Sequence, residues 1–313
     1  MATLTTPPWI PTLAERLAAV IRGKPEVIEL LLIGALTAGH VLVEDVPGVG
    51  KTTLAKALAR TMDLAFARIQ FTPDLLPSDI LGTHVLDPRE GTMRFQEGPL
   101  FTNVLLADEI NRASPRTQAA LLEAMNEGQV TIDGKTMALP EPFLVLATQN
   151  PIDFQGTYPL PEAQLDRFVL RIKVGYPALE DEVKMLFDRK TVDPLADVPR
   201  VVGKDELVAA QALVRDVDVK PAVGKYIAEI VAKTRAKDDV ALGASPRASL
   251  WLFRAAQARA LLRGRAFVTP DDVQSLVVHV LAHRIQMSER ARYGGKSAAT
   301  AVSDLAMEVP VPT

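Results

Sequence analysis

Short apolar runs alternate with longer helical periodicities in the first half of the chain. Leu13, Leu17 and Ile21 recur at helical spacing, and Pro25 opens a second helical pattern that ends near Ala38. Strands that alternate with helices in this way predict an α/β fold with a mainly parallel, five-stranded sheet. The five runs with the length and composition of buried strands are residues 40–43, 66–71, 104–107, 144–148 and 168–174.

The second half of the chain gives no further strand signal after Tyr176. We therefore predict two domains, an αβα domain over residues 1–176 and an all-helical domain over residues 177–313. The long helical periodicities of the second domain lie at residues 207–215, 223–234 and 248–262.

Two turn-rich stretches in the first domain have the pattern of inserted hairpins. The first covers about residues 82–98 and turns at residues 89–91, and the second covers about residues 128–142 and turns at Asp133 and Gly134. Both stretches could be decorated loops. The alternative is that they move in response to events at a neighbouring site.

Composition sets broad limits on the kind of protein. The chain has 313 residues, of which 48% are hydrophobic, so a soluble protein with two well-formed cores is expected. It contains no cysteine, which excludes disulfides and thiolate chemistry. The N-terminus lacks the basic patch and apolar core of a signal peptide, so we expect a cytoplasmic protein. The net charge of −3 does not favour nucleic acid as a partner.

The segment EDVPGVGKTT at residues 44–53 has the pattern of a phosphate-binding loop between a strand and a helix. Its glycines let backbone N–H groups point at phosphate oxygens, Lys51 adds a positive charge, and Thr52 can offer its hydroxyl to Mg²⁺. Asp45 stands where the usual pattern has its first glycine. The predicted nucleotide-binding residues are Val46, Pro47, Gly48, Val49, Gly50, Lys51, Thr52 and Thr53.

Two adjacent carboxylates, Asp108 and Glu109, end the third predicted strand. Ligands of an α/β sheet bind beyond the carboxyl ends of its strands, so both side chains are placed near the phosphate loop. We predict that Asp108 holds Mg²⁺ through water, together with Thr52, and that Glu109 polarises an attacking water. In this order, the loop and the carboxylates indicate a phosphate-loop NTPase.

Longer phrases of the sequence resemble the MoxR family of AAA+ ATPases. The resemblance covers nearly the whole chain and is specific because the phrases occur in the family's order. Beside the phosphate loop, they are RIQFTPDLLPSDILG at 68–82, LLADEINRASPRTQAALLEAM at 105–125, VLATQNP at 145–151, LPEAQLDRF at 160–168 and GASPRAS at 243–249.

The resemblance implies a fold and an assembly. The fold is a P-loop AAA+ αβα domain followed by a helical lid, and the assembly is a ring, usually a hexamer, with ATP bound between subunits. The two insertions would be the helix-2 hairpin and the pre-sensor-1 hairpin that magnesium-chelatase ATPase subunits and minichromosome-maintenance helicases share.

The resemblance also assigns roles to polar residues. Asn150, at the end of the fourth predicted strand, matches sensor 1, which contacts the γ-phosphate or the lytic water; its alternative is a simple Asn-Pro turn. Arg167 matches the arginine finger that reaches the ATP of a neighbouring subunit, and its alternative is a local pair with Asp166.

Arg247 has a physical argument of its own. Ser245 and Pro246 have the pattern of a helix start, which places Arg247 in a first turn where a cation is disfavoured unless an anion is bound. This fits sensor 2, and the sequence leaves open whether Arg247 serves its own subunit or a neighbour. Arg263 and Arg265 are interpreted as solvated loop charges.

The resulting prediction is an ATPase that uses ATP and Mg²⁺ and couples hydrolysis to chaperone-like remodelling or maturation of a protein client. MoxR-like proteins commonly work with a protein that carries a von Willebrand factor A domain, which would here be a separate polypeptide.

Two alternatives remain. The first is a DNA-translocating helicase, which needs basic hairpins. Here two arginines face three carboxylates in residues 84–97, and one lysine faces two carboxylates in residues 129–142, so each hairpin sums to −1. The second is a nucleotide-gated scaffold with little hydrolysis, which the intact Glu109 disfavours.

Overall fold

A computed structural model describes residues 6–46, 48–150, 157–188, 195–196 and 198–312. The strands are β1 (His40–Glu44), β2 (Phe66–Gln70), β3 (Gly82–Asp87), β4 (Thr92–Glu97), β5 (Val104–Asp108), β6 (Gln129–Ile132), β7 (Lys135–Ala138), β8 (Leu144–Gln149), β9 (Phe168–Ile172), β10 (Val240–Leu242) and β11 (Gln286–Met287).

Helices make up most of the remaining regular structure. They are α1 (Trp9–Val20), α2 (Pro25–Leu36), α3 (Lys51–Thr61), α4 (Pro77–Leu81), α5 (Pro115–Glu127), α6 (Glu162–Leu165), α7 (Leu179–Asp188), α8 (Lys204–Arg215), α9 (Pro221–Thr234), α10 (Pro246–Leu262), α11 (Pro270–Leu281), α12 (Glu289–Tyr293) and α13 (Ala298–Met307). A 3₁₀ turn covers Ile110–Arg112.

The central sheet has five strands in the order β2-β5-β8-β1-β9, and every neighbouring pair is parallel. The prediction of a mainly parallel, five-stranded sheet is therefore confirmed. The carboxyl ends of all five strands meet at one edge of the sheet, which we call the carboxyl edge. The opposite edge, where the strands begin, is the amino edge.

The central strands β5, β8 and β1 are buried on both faces, which explains why they are mainly apolar, whereas β2 at the border of the sheet is partly exposed. Successive side chains of a strand point to opposite faces. In β5, Leu106 belongs to one apolar cluster, whereas Leu105 and Ala107 belong to a second. The first cluster continues without interruption into the helices beyond residue 200, so one core joins the sheet to the helical part.

The helical part packs mainly around α10. This helix lies against α2, α8, α9 and α11, and α11 in turn lies against strand β9 at the border of the sheet. The part also contains an antiparallel ribbon of β10 and β11, which the helical periodicities did not predict. Strands of three and two residues are too short to give a period-two pattern.

The interpretation as a solvated charge is wrong for Arg265, whereas the side chain of Arg263 is 55% exposed and also forms an ion pair. Arg265 donates two hydrogen bonds to Asp272, whose side chain is fully buried, at 2.8 and 2.6 Å. Arg263 donates to both carboxylate oxygens of Glu29 on α2, at 3.0 and 2.9 Å. These ion pairs hold the loop after α10 against its neighbours. Asp272 in particular needs such a partner, because a buried carboxylate is costly without one.

The two inserted segments form antiparallel hairpins, β3 with β4 and β6 with β7. They meet where Nδ1 of His84 lies 2.9 Å from a carboxylate oxygen of Asp133, in the turn of the second hairpin. Within the described ranges, no helix combines the length and the apolar character needed to cross a bilayer.

Candidate nucleotide-binding site

The loop after β1 has the backbone geometry of a phosphate cradle. Gly48 and Gly50 have φ angles of 86° and 88°, in the left-handed region that favours glycine. A Cβ built on either glycine would meet no described atom within 4 Å, so the loop borders open space. Gly50 directly precedes α3, whose first N–H groups have no partner within the helix. This arrangement fits phosphate oxygens. Pro47 lies outside the described residues.

Lys51 is held inside the loop. Its Nζ donates to the backbone oxygens of Asp45, at 2.9 Å, and Val46, at 3.3 Å. Burial lowers the pKa of Lys51, while the carboxylates of Asp108, Asp45 and Glu109 act in the opposite direction. Lys51 therefore lies close enough to Asp108 and Glu109 for their charges to interact.

Asp45, which replaces the usual first glycine, has a structural task. Its carboxylate accepts hydrogen bonds from the N–H groups of Val46, at 2.7 Å, and Gly175, at 2.5 Å. The side chain is 8% exposed. Gly175 lies just beyond β9, on the path toward the helical part. Asp45 thus ties the start of the phosphate loop to the segment that leads out of the sheet.

Asp108 and Glu109 lie at the carboxyl edge, as the sequence predicts, and Thr148 of β8 fixes both. The Thr148 hydroxyl donates to Asp108 at 2.6 Å and accepts from the Glu109 N–H at 2.8 Å. Glu109 has a φ of 57°, an uncommon value for a residue with a side chain. Such backbone conformations persist only where the surroundings hold them, and they concentrate at functional sites.

Further polar side chains engage the two carboxylates. Arg68 of β2 pairs with Asp108 at 2.7 Å. Gln70 of β2 donates to Oε2 of Glu109 at 3.0 Å, and Arg112 donates to the same oxygen at 2.8 Å. Both carboxylates therefore already have donors in this conformation.

Asn150 completes the carboxyl edge. It follows the last residue of β8, Gln149, whose carbonyl accepts a hydrogen bond from the Asp45 N–H at 3.2 Å. Asn150 is 9% exposed. The carboxyl edge thus brings together the start of the phosphate loop, the two acidic residues and a buried amide.

Arg167 and Arg247 lie at the amino edge instead. Arg167 precedes Phe168, which pairs with His40 at the start of β1, and its guanidinium donates to the carbonyl of Leu122 in α5. The phosphate loop begins at the other end of β1, about 15 Å away at the rise of a parallel strand. Burial and the positive charge of Arg247 lower the pKa of Arg167, so the two guanidinium groups are neighbours.

The local pair between Arg167 and Asp166 that the sequence left open is not among the ion pairs of the described residues. Asp166 pairs instead with Arg247, at 4.0 Å, and with Arg284, at 2.8 Å. The anion expected near Arg247 is thus, in this chain, a carboxylate.

Comparison with known proteins agrees with this geometry. A family profile described as "ATPase family associated with various cellular activities (AAA)" matches residues 40–170, and an AAA lid domain profile matches residues 232–305. The protein YeaC of Bacillus subtilis is 46% identical over 97% of this chain and 95% of its own length. Chaperone MoxR1 of Mycobacterium tuberculosis is 44% identical over 86% of this chain and 73% of its own length. The chain belongs to the MoxR family of AAA+ ATPases.

The fold of this MoxR-family chain has also been seen in a crystal structure. A candidate ATPase from Cytophaga hutchinsonii superimposes with a TM-score of 0.90 at 39% identity, over 97% of this chain and 95% of that one. The αβα domain and the lid therefore occur together in the same arrangement in a solved structure.

Sequence reasoning on this MoxR-family chain missed the donors around the two carboxylates. Arg68 and Gln70 are found only when the register of β2 against β5 is known, since Gln70 pairs with Asp108. Thr148 lies two residues before Asn150, and the pairing of β8 with β5 brings it to Asp108.

The contact between Gln70 and Glu109 leads to a prediction. Replacing Gln70 with alanine removes one donor from the oxygen that would act as a base. This hydrogen bond to a carboxylate is exposed to solvent, so we use the typical contribution of about 0.5–1.5 kcal/mol, and basal ATP turnover should rise by about 2- to 10-fold at unchanged ATP affinity. Steady-state phosphate release and nucleotide-binding fluorescence measure the two quantities.

Gln274→Ala is the matched control for this change. Gln274 lies on α11 and donates to the Tyr226 hydroxyl at 3.0 Å, away from the carboxyl edge. Its replacement should leave basal turnover unchanged. A turnover for Gln70→Ala below that of the wild type would mean that Gln70 holds Glu109 in its productive position.

Proposed function

We propose that this MoxR-family chain hydrolyses ATP with Mg²⁺ in an oligomeric ring, with each active site shared between two subunits. One observation supports the shared site most directly: Lys51, Asp108 and Glu109 lie at the carboxyl edge, whereas Arg167 and Arg247 lie at the amino edge of the same sheet. Five groups suited to phosphoryl transfer are therefore divided between two distant edges of one chain.

A head-to-tail ring resolves this separation, because it places the amino edge of one subunit against the carboxyl edge of the next. Arg167 would then stabilise the charge that spreads over the γ-phosphoryl group of the neighbouring ATP. Arg247 would also stabilise that charge, because its ion pair with Asp166 keeps it beside Arg167. We thus assign both arginines to the neighbouring site.

At the carboxyl edge, the loop N–H groups and Lys51 would hold the phosphates. Lys51 would exchange its bonds to the Asp45 and Val46 carbonyls for phosphate oxygens. Thr52 and Asp108 would hold Mg²⁺, which neutralises negative charge on the phosphates when bound. The Thr148 hydroxyl donates to one carboxylate oxygen of Asp108 and so supports this role by orienting the carboxylate.

Glu109 would take a proton from the attacking water, and Asn150 would sense the γ-phosphate or position that water. In the present conformation Gln70 and Arg112 occupy one oxygen of Glu109. Loss of these contacts would free that oxygen for the water, which gives a partner or a neighbouring subunit a means of control.

The task we propose is chaperone-like remodelling or maturation of a protein client, with a von Willebrand factor A domain protein as the partner. The surface of the first hairpin supports a protein contact. Leu86 and Met93 lie opposite each other in the β3–β4 pair and are 62% and 61% exposed, and Val85 is also exposed. Exposed apolar side chains on an acidic hairpin suit a protein surface better than a phosphate backbone.

The proposal is tested by ATP turnover of the purified full-length chain, with Mg²⁺ and with EDTA, and with and without single- and double-stranded DNA. We expect Mg²⁺-dependent turnover that depends on protein concentration as the ring assembles and that DNA does not change. Stimulation by DNA would favour the helicase, and nucleotide-dependent assembly without turnover would favour the scaffold.

The hairpin surface leads to a second prediction. Leu86→Ser together with Met93→Ser should leave basal ATP turnover within about twofold, because surface changes away from a site have small effects. We expect a von Willebrand factor A domain protein to copurify with the tagged wild type from the native host. The same variant should lose this protein, as measured by mass spectrometry. Shortening residues 87–95 to a tight turn should have the same result.

Met307→Ser provides the control, since Met307 is 73% exposed on α13 of the helical part. It should retain the copurifying protein. Equal recovery of that protein with the wild type and with the hairpin variants would remove this hairpin from the partner interface.

A further inference from the structure

Arg284 is an arginine that the proposed reaction does not use, and it is almost completely buried. It follows α11 in the helical part and is 4% exposed. Burial lowers its pKa to about 10, and Asp166 opposes this shift, so the side chain stays charged at neutral pH. A buried cation of this kind needs several acceptors around it.

Four acceptors of Arg284 lie in the segment that carries Arg167, and another is the carbonyl of Val280 in α11. Its Nε donates to the carboxylate of Asp166 at 2.8 Å, and one terminal nitrogen donates to the Asp166 carbonyl at 3.2 Å. The same nitrogen donates to the carbonyl of Phe168, and the other donates to that of Val169 at 3.4 Å. Arg284 therefore holds the residues on both sides of Arg167.

Asp166 extends this link to Arg247. Its second carboxylate oxygen accepts from the Ser245 hydroxyl at 3.2 Å and lies 4.0 Å from Nε of Arg247. Ser245 is the N-cap residue of α10 and lies two positions before Arg247. One carboxylate thus connects the buried Arg284, the start of α10 and the residue next to Arg167.

The charges around Arg284 support a positioning role. Burial, and after it the positive charge of Arg284, lowers the pKa of the adjacent His283 well below its usual value. The His283 ring is therefore neutral and adds no charge. Arg284 and Arg247 share the carboxylate of Asp166, whereas the carboxylates that act on Arg167 are those of Glu123 and Glu127. Because Asp166 lies 2.8 Å from Arg284 but 4.0 Å from Arg247, Arg247 stays available for an anion outside the chain.

From these contacts we infer that Arg284 is a positioning residue that holds Arg167 and Arg247, through Asp166 and the backbone of β9, in the geometry needed to serve a neighbouring ATP. The inference rests on the proposed function, because it requires an active site shared between subunits. It also connects the helical part to that shared site, since a shift of α11 would move Arg284 and with it both arginines.

The test uses Arg284→Lys, which keeps the charge but cannot reach the acceptors of a guanidinium at the same time. A small misplacement of a catalytic group can cost on the order of 10² in rate. ATP turnover should fall by about that factor, while ATP affinity should stay within twofold of wild type because the carboxyl edge is intact. Asp166→Asn removes the ion pair from its other side and replaces Arg284→Lys if that variant does not fold.

Arg265→Lys is the matched control. It alters another arginine that is bonded to a buried aspartate, Asp272, in the same helical part. Arg265 follows the far end of α10, about 25 Å along the helix from Arg247. The control should lower the melting temperature without an effect on turnover at 25 °C.

A mixing experiment separates positioning from general damage. Arg284→Lys and Glu109→Gln subunits with different tags are coexpressed, and mixed rings are isolated on both tags. In a mixed ring, an interface is complete where an Arg284→Lys subunit supplies Glu109 and a Glu109→Gln subunit supplies the arginines. At equal amounts of the two subunits this holds for about one quarter of the interfaces, so about one quarter of the wild-type rate should return. A parallel arm mixes Arg167→Ala with Glu109→Gln.

The two arms give distinct outcomes. Recovery in both supports the inference. Recovery with Arg167→Ala but not with Arg284→Lys overturns the inference and leaves the shared site standing, because Arg284→Lys then damages the subunit's own site. No recovery in either arm, in rings that demonstrably contain both subunits, overturns the shared site and the inference together.

Discussion

Replacing Arg167 with alanine should lower ATP turnover by about 10³- to 10⁵-fold, the range attributed to an arginine finger, and should leave ATP binding nearly unchanged. The reason is its location. Arg167 lies at the amino edge, about one strand length, or roughly 15 Å, from the phosphate loop of its own chain. It can therefore contribute little to the ground-state binding of its own ATP. Steady-state turnover and equilibrium binding of a fluorescent ATP analogue measure the two effects.

Arg167→Lys refines this result. Lysine keeps the charge but lacks the planar fork of donors, so it should restore only part of the lost rate. Because the guanidinium of Arg167 also donates to the carbonyl of Leu122, the melting temperature must be compared among wild type, lysine and alanine variants. A turnover within tenfold of wild type for Arg167→Ala in assembled rings would contradict the assignment.

The central strands of the sheet could be predicted because they are buried on both faces. Residues 104–107 and 144–148 are continuous apolar runs, and the structure places them side by side as β5 and β8. The phosphate loop and the acidic pair were predicted because their residue types follow from their chemistry. Their position at one edge follows from the parallel order of the strands.

The donors around Glu109 could not be predicted in the same way. Gln70 meets Glu109 only because β2 pairs with β5 in a particular register, and a register is set by packing across many residues. The ion pair of Arg265 could not be predicted either, because Asp272, seven residues later, also has the position of a helix cap. The structure shows that Asp272 does both, since it also accepts from the Thr269 N–H at 2.9 Å.

The division of polar groups between the two edges has a consequence for control. The carboxyl edge is connected to the path toward the helical part through Asp45 and Gly175, and the amino edge is connected to it through Arg284 and Asp166. A movement of the helical part would thus displace residues at both edges of the same subunit. In a ring, those edges belong to two different active sites, so such a movement would couple adjacent sites.

Replacing Glu109 with glutamine should lower ATP turnover by about 10²- to 10⁴-fold, the contribution typical of a general base, while ATP still binds. Glutamine can keep the bond that Glu109 accepts from Gln70, so the carboxyl edge should stay folded. Lys51→Ala is the contrasting change. It removes charge-assisted bonds to the ground-state phosphates and should weaken ATP binding by about 10- to 150-fold. Titration calorimetry with ATP, next to turnover at saturating ATP, separates the two variants. Wild-type turnover in Glu109→Gln would show that another group activates the water, whereas wild-type ATP affinity in Lys51→Ala would place the phosphates away from the loop.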